Sequence, residues 1–460
     1  MFRLILFAAS CLLSFTQLRA EDKPNIIFIF ADDWGWGDLS CHGHPYVKTP
    51  NIDRLAAEGT DFHRFTVASG VCSPSRTAVM TGHFPAKHGI SGHFAWPDQN
   101  AGRNMPDWLN PNVVTLPRIL QSAGYATAHY GKWHISNNMI PDSPSAGEYG
   151  YDDFATFNAS GEQMPFYEDV QRTNKFIKKS QKEGKPFFIN LWVHEPHTPH
   201  HVVPKYQQKF PELEQKDNIY ASILAHADER IGELLDLLDA LEIADNTLVI
   251  FSSDNGPAGL GTGESKKELG FMYDSATGIG YNIGASVGLT AGRRGAKASL
   301  FEGGVGVPFL ARWPQKIAAG AVDSTSPISA VDLLPTFVNV AGAKLPEGYE
   351  SDGVDQTAVL LGEPIVKREK LLFWKGIIKE TVAGQRINYA VSDGQWKLLA
   401  NNDSSYIELI DLTVDIYEKN DLKAEHPEIA EKFKKELEAW KASLPAEPDS
   451  SCFSKYRKVK

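Results

Sequence analysis

The 460 residues carry 46 Lys and Arg against 57 Asp and Glu, a formal charge of −11 at pH 7, with 42% hydrophobic and 11% aromatic residues. That apolar share fills a sizeable core and excludes a disordered chain, and the length predicts two domains, one of them large. The acidic balance excludes nucleic acid as a partner, and an anionic substrate would need a local positive cluster that overrides the field of the whole chain.

Residues 1–20 differ from everything after them. Arg3 precedes an apolar run from Leu4 to about Leu18, Leu18 and Ala20 stand at cleavage positions, and Glu21 and Asp22 follow directly. This predicts a signal peptide and an exported protein, periplasmic or secreted, or lysosomal or extracellular in a eukaryote. No other long apolar stretch exists, so no stable membrane span is expected.

Asn25 to Ala31 (NIIFIFA) is a continuous apolar run that reads as a strand buried on both faces, and it ends in Asp32 and Asp33. Asn51 to Ala57 and Leu116 to Gln121 read as helices. Tyr125 to Tyr130 reads as a less apolar strand running into Gly131, Lys132, Trp133 and His134. Phe187 to Val193 (FFINLWV) is another buried strand and ends in His194, Glu195, Pro196 and His197. Ile219, Ile223, Ala227, Ile231, Leu234, Leu238 and Leu241 recur at three- and four-residue spacing, which predicts an amphipathic helix. The strand Thr247 to Phe251 then ends shortly before Asp254 and Asn255. The alternation predicts an α/β fold with a largely parallel sheet sandwiched by helices, its polar groups gathered after the strand ends where such sheets bind ligands.

From about residue 365 the pattern changes. Leu371 to Trp374, Asn388 to Val391, Trp396 to Ala400 and Ile407 to Ile410 read as short strands, followed by a helix from about Pro427 to Leu444. The expected division is a signal peptide over 1–20, a catalytic domain over 21–364, and a smaller C-terminal α+β domain over 365–460, an antiparallel sheet plus helix.

The run Cys72-Ser-Pro-Ser-Arg76 concentrates the chemistry. Pro74 suits a first helical turn, so Cys72 sits at a helix N-terminus, where free N–H groups and partial positive charge favour an anion such as sulfate. Arg76, one turn on, adds a planar cation with several donors. A buried cysteine in an ordinary turn is the bland alternative. Asp32, Asp33, Asp254 and Asn255 form an all-oxygen ligand set for a hard cation, calcium rather than zinc, with magnesium open. Lys132, His134, His197 and Lys297 offer positive charge and proton carriers, although each alone reads as a surface or loop residue.

Together these residues resemble the type I, formylglycine-dependent sulfatases of the alkaline phosphatase superfamily. The match runs from Asn25 to about Pro308, and Asp393-Gly-Gln-Trp-Lys397 with Leu409-Ile-Asp-Leu412 is similar to the family's small domain. The resemblance implies an alkaline-phosphatase-like fold and a formylglycine made from Cys72 by a formylglycine-generating maturation enzyme. It implies that Asp32, Asp33, Asp254, Asn255 and residue 72 hold the cation, while Arg76 and Lys132 orient the hydrated aldehyde. One hydroxyl would attack sulfur, His197 or Lys297 would protonate or shield the departing alkoxide, and His134 would take the second hydroxyl's proton.

Export and the surrounding residues point to a sulfated glycan as substrate, attacked at a chain end. His93, Trp96, Trp108, His200, His201, Arg293 and Arg294 are the candidate sugar contacts, each equally readable as loop or core, and His194 is read as a substrate contact or a structural residue. The Gly-rich stretch between Asn255 and Lys297 reads as a mobile surface loop. Asn158-Ala-Ser160 and Asn402-Asp-Ser404 are glycosylation sequons in a eukaryote, and Cys41 and Cys452 are available to pair. The competing functions are an arylsulfatase of broad specificity, a phosphatase or phosphonate monoester hydrolase on the same scaffold, and a non-catalytic glycan-binding protein.

Overall fold

A strand with no polar face must be covered on both sides, and the apolar runs accordingly form the middle of the main sheet. The computed structural model describes residues 23–158, 164–165, 167–198, 200–258, 271–274, 279–282, 287–365, 367–376 and 381–458. The segment expected to be a signal peptide lies outside them. Eight strands build the sheet: β1 (Asn25–Ala31), β2 (Thr60–Phe62), β3 (Ala126–Lys132), β4 (Asp153–Phe157), β5 (Phe187–Trp192), β6 (Thr247–Ser253), β7 (Phe309–Arg312) and β8 (Ala321–Asp323). Their order is β8-β2-β7-β6-β1-β5-β3-β4. All run parallel except β7, which is antiparallel to both its neighbours.

The register explains where the site forms. Ala31 lies opposite Ser253, and Gly131 opposite Trp192, so neighbouring strands end at one edge of the sheet. That edge receives Asp32 after β1, Lys132 at the end of β3, His194 after β5 and Asp254 after β6. Gly131 has φ +111°, and a Cβ there would meet the Trp192 carbonyl oxygen at 2.0 Å, so only glycine lets β3 approach β5 closely enough to present Lys132.

Side chains alternate across β1. Ile26, Phe28 and Phe30 pack with Phe337 on one face, while Ile27, Ile29 and Ala31 pack with Ile219, Ile223 and Leu234 on the other. Phe337 belongs to the helix Leu333–Val340, and the other three to the 26-residue helix Gln215–Ala240. Each large apolar side chain so buried contributes roughly 1.5–3 kcal/mol.

The short strands β2, β4, β7 and β8 and the helix Asp169–Lys182 were not legible as periodic segments. β2 and β8 span three residues each, and the helix is polar except for a stripe that includes Val170, Phe176 and Ile177. The C-terminal segment forms the expected antiparallel sheet, Leu372–Lys375, Tyr389–Ser392, Trp396–Ala400 and Ile407–Asp411, with the helix Pro427–Ser443. Its Trp374 and Leu398 join the same apolar cluster as Val79 and Phe337. A buried ion triad ties it down further, with Lys397 Nζ 2.8 Å from Glu302 and 3.0 Å from Glu418.

Among the described residues no helix is long and apolar enough to cross a membrane. Cys41, Cys72 and Cys452 are free, so the pairing of Cys41 with Cys452 is not formed. Within the Gly-rich stretch the backbone of Ile279–Asn282 pairs antiparallel with Phe271–Asp274 on one side and His200–Val202 on the other, and residues 259–270, 275–278 and 283–286 lie outside the described residues.

Candidate active site

β1 delivers two consecutive carboxylates, and the chain turns sharply to separate them. Asp33 has φ +70°, a conformation that strains any residue with a Cβ, and its N–H donates to Asp254 Oδ1 at 3.2 Å. Asp32 is fully buried and pairs with Lys132 Nζ. Burial alone would raise its carboxyl, but the cationic Lys132, Arg76 and Lys297 around it hold it well below the usual range.

Cys72 is the first residue of the helix Cys72–Thr81, whose ten residues are all buried. Its Sγ lies 3.6 Å from Asp32 Oδ1 and 3.5 Å from Lys132 Nζ. Burial pushes the thiol up to about 12 despite Lys132 and Lys297, so at neutral pH the thiolate needed for direct attack is scarcely populated. Arg76 follows one turn later. Its Nε and Nη2 both donate to Asp254 Oδ2, at 2.9 and 2.7 Å, and its guanidinium lies over the Trp192 ring at 4.9 Å.

Lys297 reaches the same centre from a distant loop, donating to Asp33 Oδ2 at 2.7 Å. Burial disfavours its ammonium, yet Asp33 outweighs it and holds Lys297 above its ordinary value. His197 stands 4.0 Å from Asp32 and 3.9 Å from Asp33 with 26% of its side chain exposed. Burial, reinforced by Lys132 and Lys297 against the pull of Asp32, keeps its imidazole well below the usual range.

The residues fit a cation. Asn255 Nδ2 donates to Asp33 Oδ1 at 2.7 Å and to the Gly256 carbonyl at 2.9 Å, which leaves its Oδ1 buried without a partner. Asp32, Asp33, Cys72 and His197 each place a ligand atom within 4.8 Å of the others. Three carboxylates (Asp32, Asp33, Asp254) face three cations (Arg76, Lys132, Lys297) here, so a bound divalent ion would leave the site positive and receptive to an anion.

His134 is linked to this centre through the helix that carries Cys72. Its ring Nε2 donates to the Phe94 carbonyl at 2.9 Å, and the Phe94 N–H donates to Ser73 Oγ at 2.9 Å. Because a carbonyl only accepts, the proton sits on Nε2, and Nδ1, buried without a partner, keeps its lone pair. Burial and then Lys132 hold this imidazole well below its ordinary value, so it is neutral. Its backbone has φ +51°, and its N–H donates to Asn158 Oδ1 at 2.7 Å.

The Sulfatase family model matches residues 24–343, and the model described as N-sulphoglucosamine sulphohydrolase, C-terminal, matches residues 296–443. The chain belongs to the sulfatase family. It is a sulfuric ester hydrolase with the alkaline-phosphatase-like architecture of that family. It is 28% identical over 521 aligned positions to an N-acetylgalactosamine-6-O-sulfatase of Bacteroides thetaiotaomicron, covering 92% of this chain and 94% of the relative. It is 30% identical to Arylsulfatase A of Homo sapiens, over 83% of this chain and 75% of the relative. The crystal structure of Ps i-CgsB in complex with k-i-k-neocarrahexaose superposes with a TM-score of 0.76 at 25% identity, covering 93% of this chain and 96% of that one.

The surroundings of this sulfatase's centre divide the candidate sugar contacts. Trp96 is half exposed, and His93 is exposed with its ring 6.2 Å from that of His134, so both remain accessible. Arg103, which sequence reasoning passed over, donates to the His93 carbonyl at 2.9 Å and joins them. The others are corrected. His194 and His200 are buried, the first packed on Phe157 and the second bonded to the Pro196 carbonyl. Trp108 is buried, 7% exposed, in the wall of a cavity that Cys452 also lines. Arg293 lies buried 4.4 Å over the Trp36 ring, away from solvent, and Arg294 pairs with Glu408 at 2.6 Å and covers Phe301. The His201 side chain lies outside the described residues.

Two positioning contacts left little trace in the sequence. Asn158 reads as a sequon but is buried, holding His134 and the Ser136 carbonyl, so it is not a site for glycosylation in the folded protein. Glu195, between two histidines, accepts from Arg230 Nη2 at 2.6 Å, which anchors the His194–His197 turn to the long helix.

Proposed function

We propose that this sulfatase removes sulfate from a carbohydrate, acting at the end of a sulfated chain, with a formylglycine derived from Cys72 and one calcium ion. The observation that carries the reading is the environment of residue 72. A thiol held at about 12 on a helix N-terminus, flanked by Lys132 and a buried carboxylate, is poorly suited to attack as it stands but well placed to be replaced by an oxygen nucleophile.

Calcium suits the oxygens of Asp32, Asp33, Asp254 and Asn255, with residue 72 beside them, and when bound supplies charge stabilisation to a sulfate oxygen. Lys132 and Arg76 orient the nucleophile and offset charge on the sulfuryl group, as preorganised donors in a dry site. His134, neutral with Nδ1 open, is suited to accept a proton. Lys297, held as an ammonium beside Asp33, and His197 are suited to serve the departing alkoxide.

The carbohydrate reading draws support from the named relatives, an N-acetylgalactosamine-6-O-sulfatase and a structure bound to a neocarrahexaose, and from exposed His93 and Trp96 with half-buried Arg103 beside them. Aromatic faces stack on sugar rings and arginine holds neighbouring anions. Conversion of Cys72 calls for a formylglycine-generating maturation enzyme that reads Cys72-Ser-Pro-Ser-Arg76. We also assign the protein to an exported location, with catalysis in 21–364 and a supporting domain in 365–460. The test is a panel of sulfated oligosaccharides and aryl sulfates with product mapping. Sulfate release from chain ends is expected, and efficient turnover of simple aryl sulfates with none from any glycan would overturn the carbohydrate assignment.

A further inference from the structure

Cys41 and His42 lie in the short turn Ser40–His42, and Asp61 and His63 lie in and just after β2. Cys41, His42 and Asp61 each place a ligand atom within 4.8 Å of the other two. His63 stands at the edge of this set, its Nε2 3.3 Å from Asp61 Oδ2 and its side chain one-third exposed.

The partners of His42 and Asp61 are the telling feature. Its Nδ1 lies 2.7 Å from the Trp36 carbonyl oxygen, which only accepts, so Nδ1 carries a proton. Its Nε2 lies 2.8 Å from Asp61 Oδ2. Asp61 Oδ1 is buried with no partner in a residue only 6% exposed. A cation shared by these atoms satisfies all of them. The frame is held ready, with Trp36 stacked on His42 at 3.9 Å and the turn pinned by Ser40 Oγ and the Cys41 N–H donating to Asp53. An imidazole whose second nitrogen donates to a backbone carbonyl is the usual outer arrangement around a metal-bound histidine.

We propose that Cys41, His42, Asp61 and His63 form a binding site for one zinc ion, separate from the catalytic centre. A thiolate, two imidazoles and one carboxylate suit zinc and disfavour calcium, which prefers oxygen alone. On binding, the Cys41 thiol releases its proton to solvent as the zinc–sulfur bond forms. The ion would brace the turn that follows Asp32 and Asp33 against β2. Trp36 carries that brace to Arg293, whose guanidinium lies 4.4 Å over its ring and donates to the His63 carbonyl at 3.0 Å, four residues before Lys297.

The test uses the full chain at saturating calcium. Elemental analysis after dialysis against micromolar zinc should show one zinc per chain, and cobalt substitution should give a thiolate-to-metal absorption band in the near ultraviolet. Cys41→Ser and His63→Ala should each lose zinc and band. Because Cys41 is exposed, wild-type protein provides a second measurement that needs no variant: zinc should block its alkylation. Equal alkylation with and without zinc, or zinc retained undiminished by Cys41→Ser, would overturn the site and leave His42 a hydrogen-bonding partner of Asp61 alone.

Discussion

Arg76 and Asp254 meet with both side chains wholly out of water, two guanidinium nitrogens donating to the single oxygen Oδ2. The other oxygen of Asp254 accepts the Asp33 N–H, so one arginine on the Cys72 helix fixes the acidic segments after β1 and β6 together. Arg76→Ala would leave a buried carboxylate unpaired and should cost about 3–5 kcal/mol of stability. Denaturant titration checks this, and Arg76→Lys, which keeps the charge but not the fork, should recover part of the stability and little of the turnover.

Formylglycine at position 72 predicts that activity follows the converted fraction and not total protein. Mass spectrometry of the peptide containing residue 72, set against turnover per chain, should give a line through the origin. A thiol near 12 also predicts that the thiolate of unconverted protein stays at or below roughly one part in a thousand up to pH 9, so its turnover remains negligible there. Substantial turnover from fully unconverted Cys72 protein would end the assignment.

Asn255 Oδ1 has no partner within the protein, so its removal should be felt by the cation more than by the fold. Asn255→Ala should weaken calcium binding by about tenfold or more, roughly 1.4 kcal/mol, in calorimetric titration of chelator-treated protein. An unchanged affinity would take Asn255 out of the ligand set.

His129 is fully buried among Trp133, Tyr151 and Trp192, and burial lowers it to about 3. The unfolded chain, near 6.5, binds this proton more readily than the native state. Stability conferred by the neutral ring is therefore present above pH 6.5 and lost as pH falls toward 3, by about 1.4 kcal/mol per pH unit. Relative to wild type, His129→Gln should gain at that slope on acidification, and parallel stability curves in urea at pH 7, 6 and 5 would contradict it.

Arg294 lies in a stretch that looks made for substrate, yet its partner is Glu408 of the small sheet. Arg294→Ala should lower the melting temperature while leaving KM for a sulfated oligosaccharide within about twofold. Arg103→Ala, beside exposed His93, should do the reverse. If Arg294→Ala raises KM strongly at unchanged stability, the loop has a role in substrate binding that its contacts do not indicate.

The strands that set the site were readable because nothing but a doubly covered strand suits runs such as NIIFIFA and FFINLWV. β1 spans Asn25–Ala31 as expected, and the run from Phe187 differs by a single residue. β2 and β8 were not, since three residues leave no periodicity and their pairing comes from neighbours far along the chain. The same distinction holds for the polar residues.

Composition and motif by themselves determined the class of chemistry. A cysteine followed by Pro74 and Arg76, and acidic pairs after apolar runs, are hard to account for by packing alone. Only the tertiary structure decided which charges stay available. Arg293 and Arg294 look alike as letters, but Trp36 and Glu408 come from distant segments to claim them. Asn158 reads as an exposed sequon until the end of β4 buries it against His134. A side chain's type sets what it can do; its burial and partners, supplied from elsewhere in the chain, set whether it is free to do it.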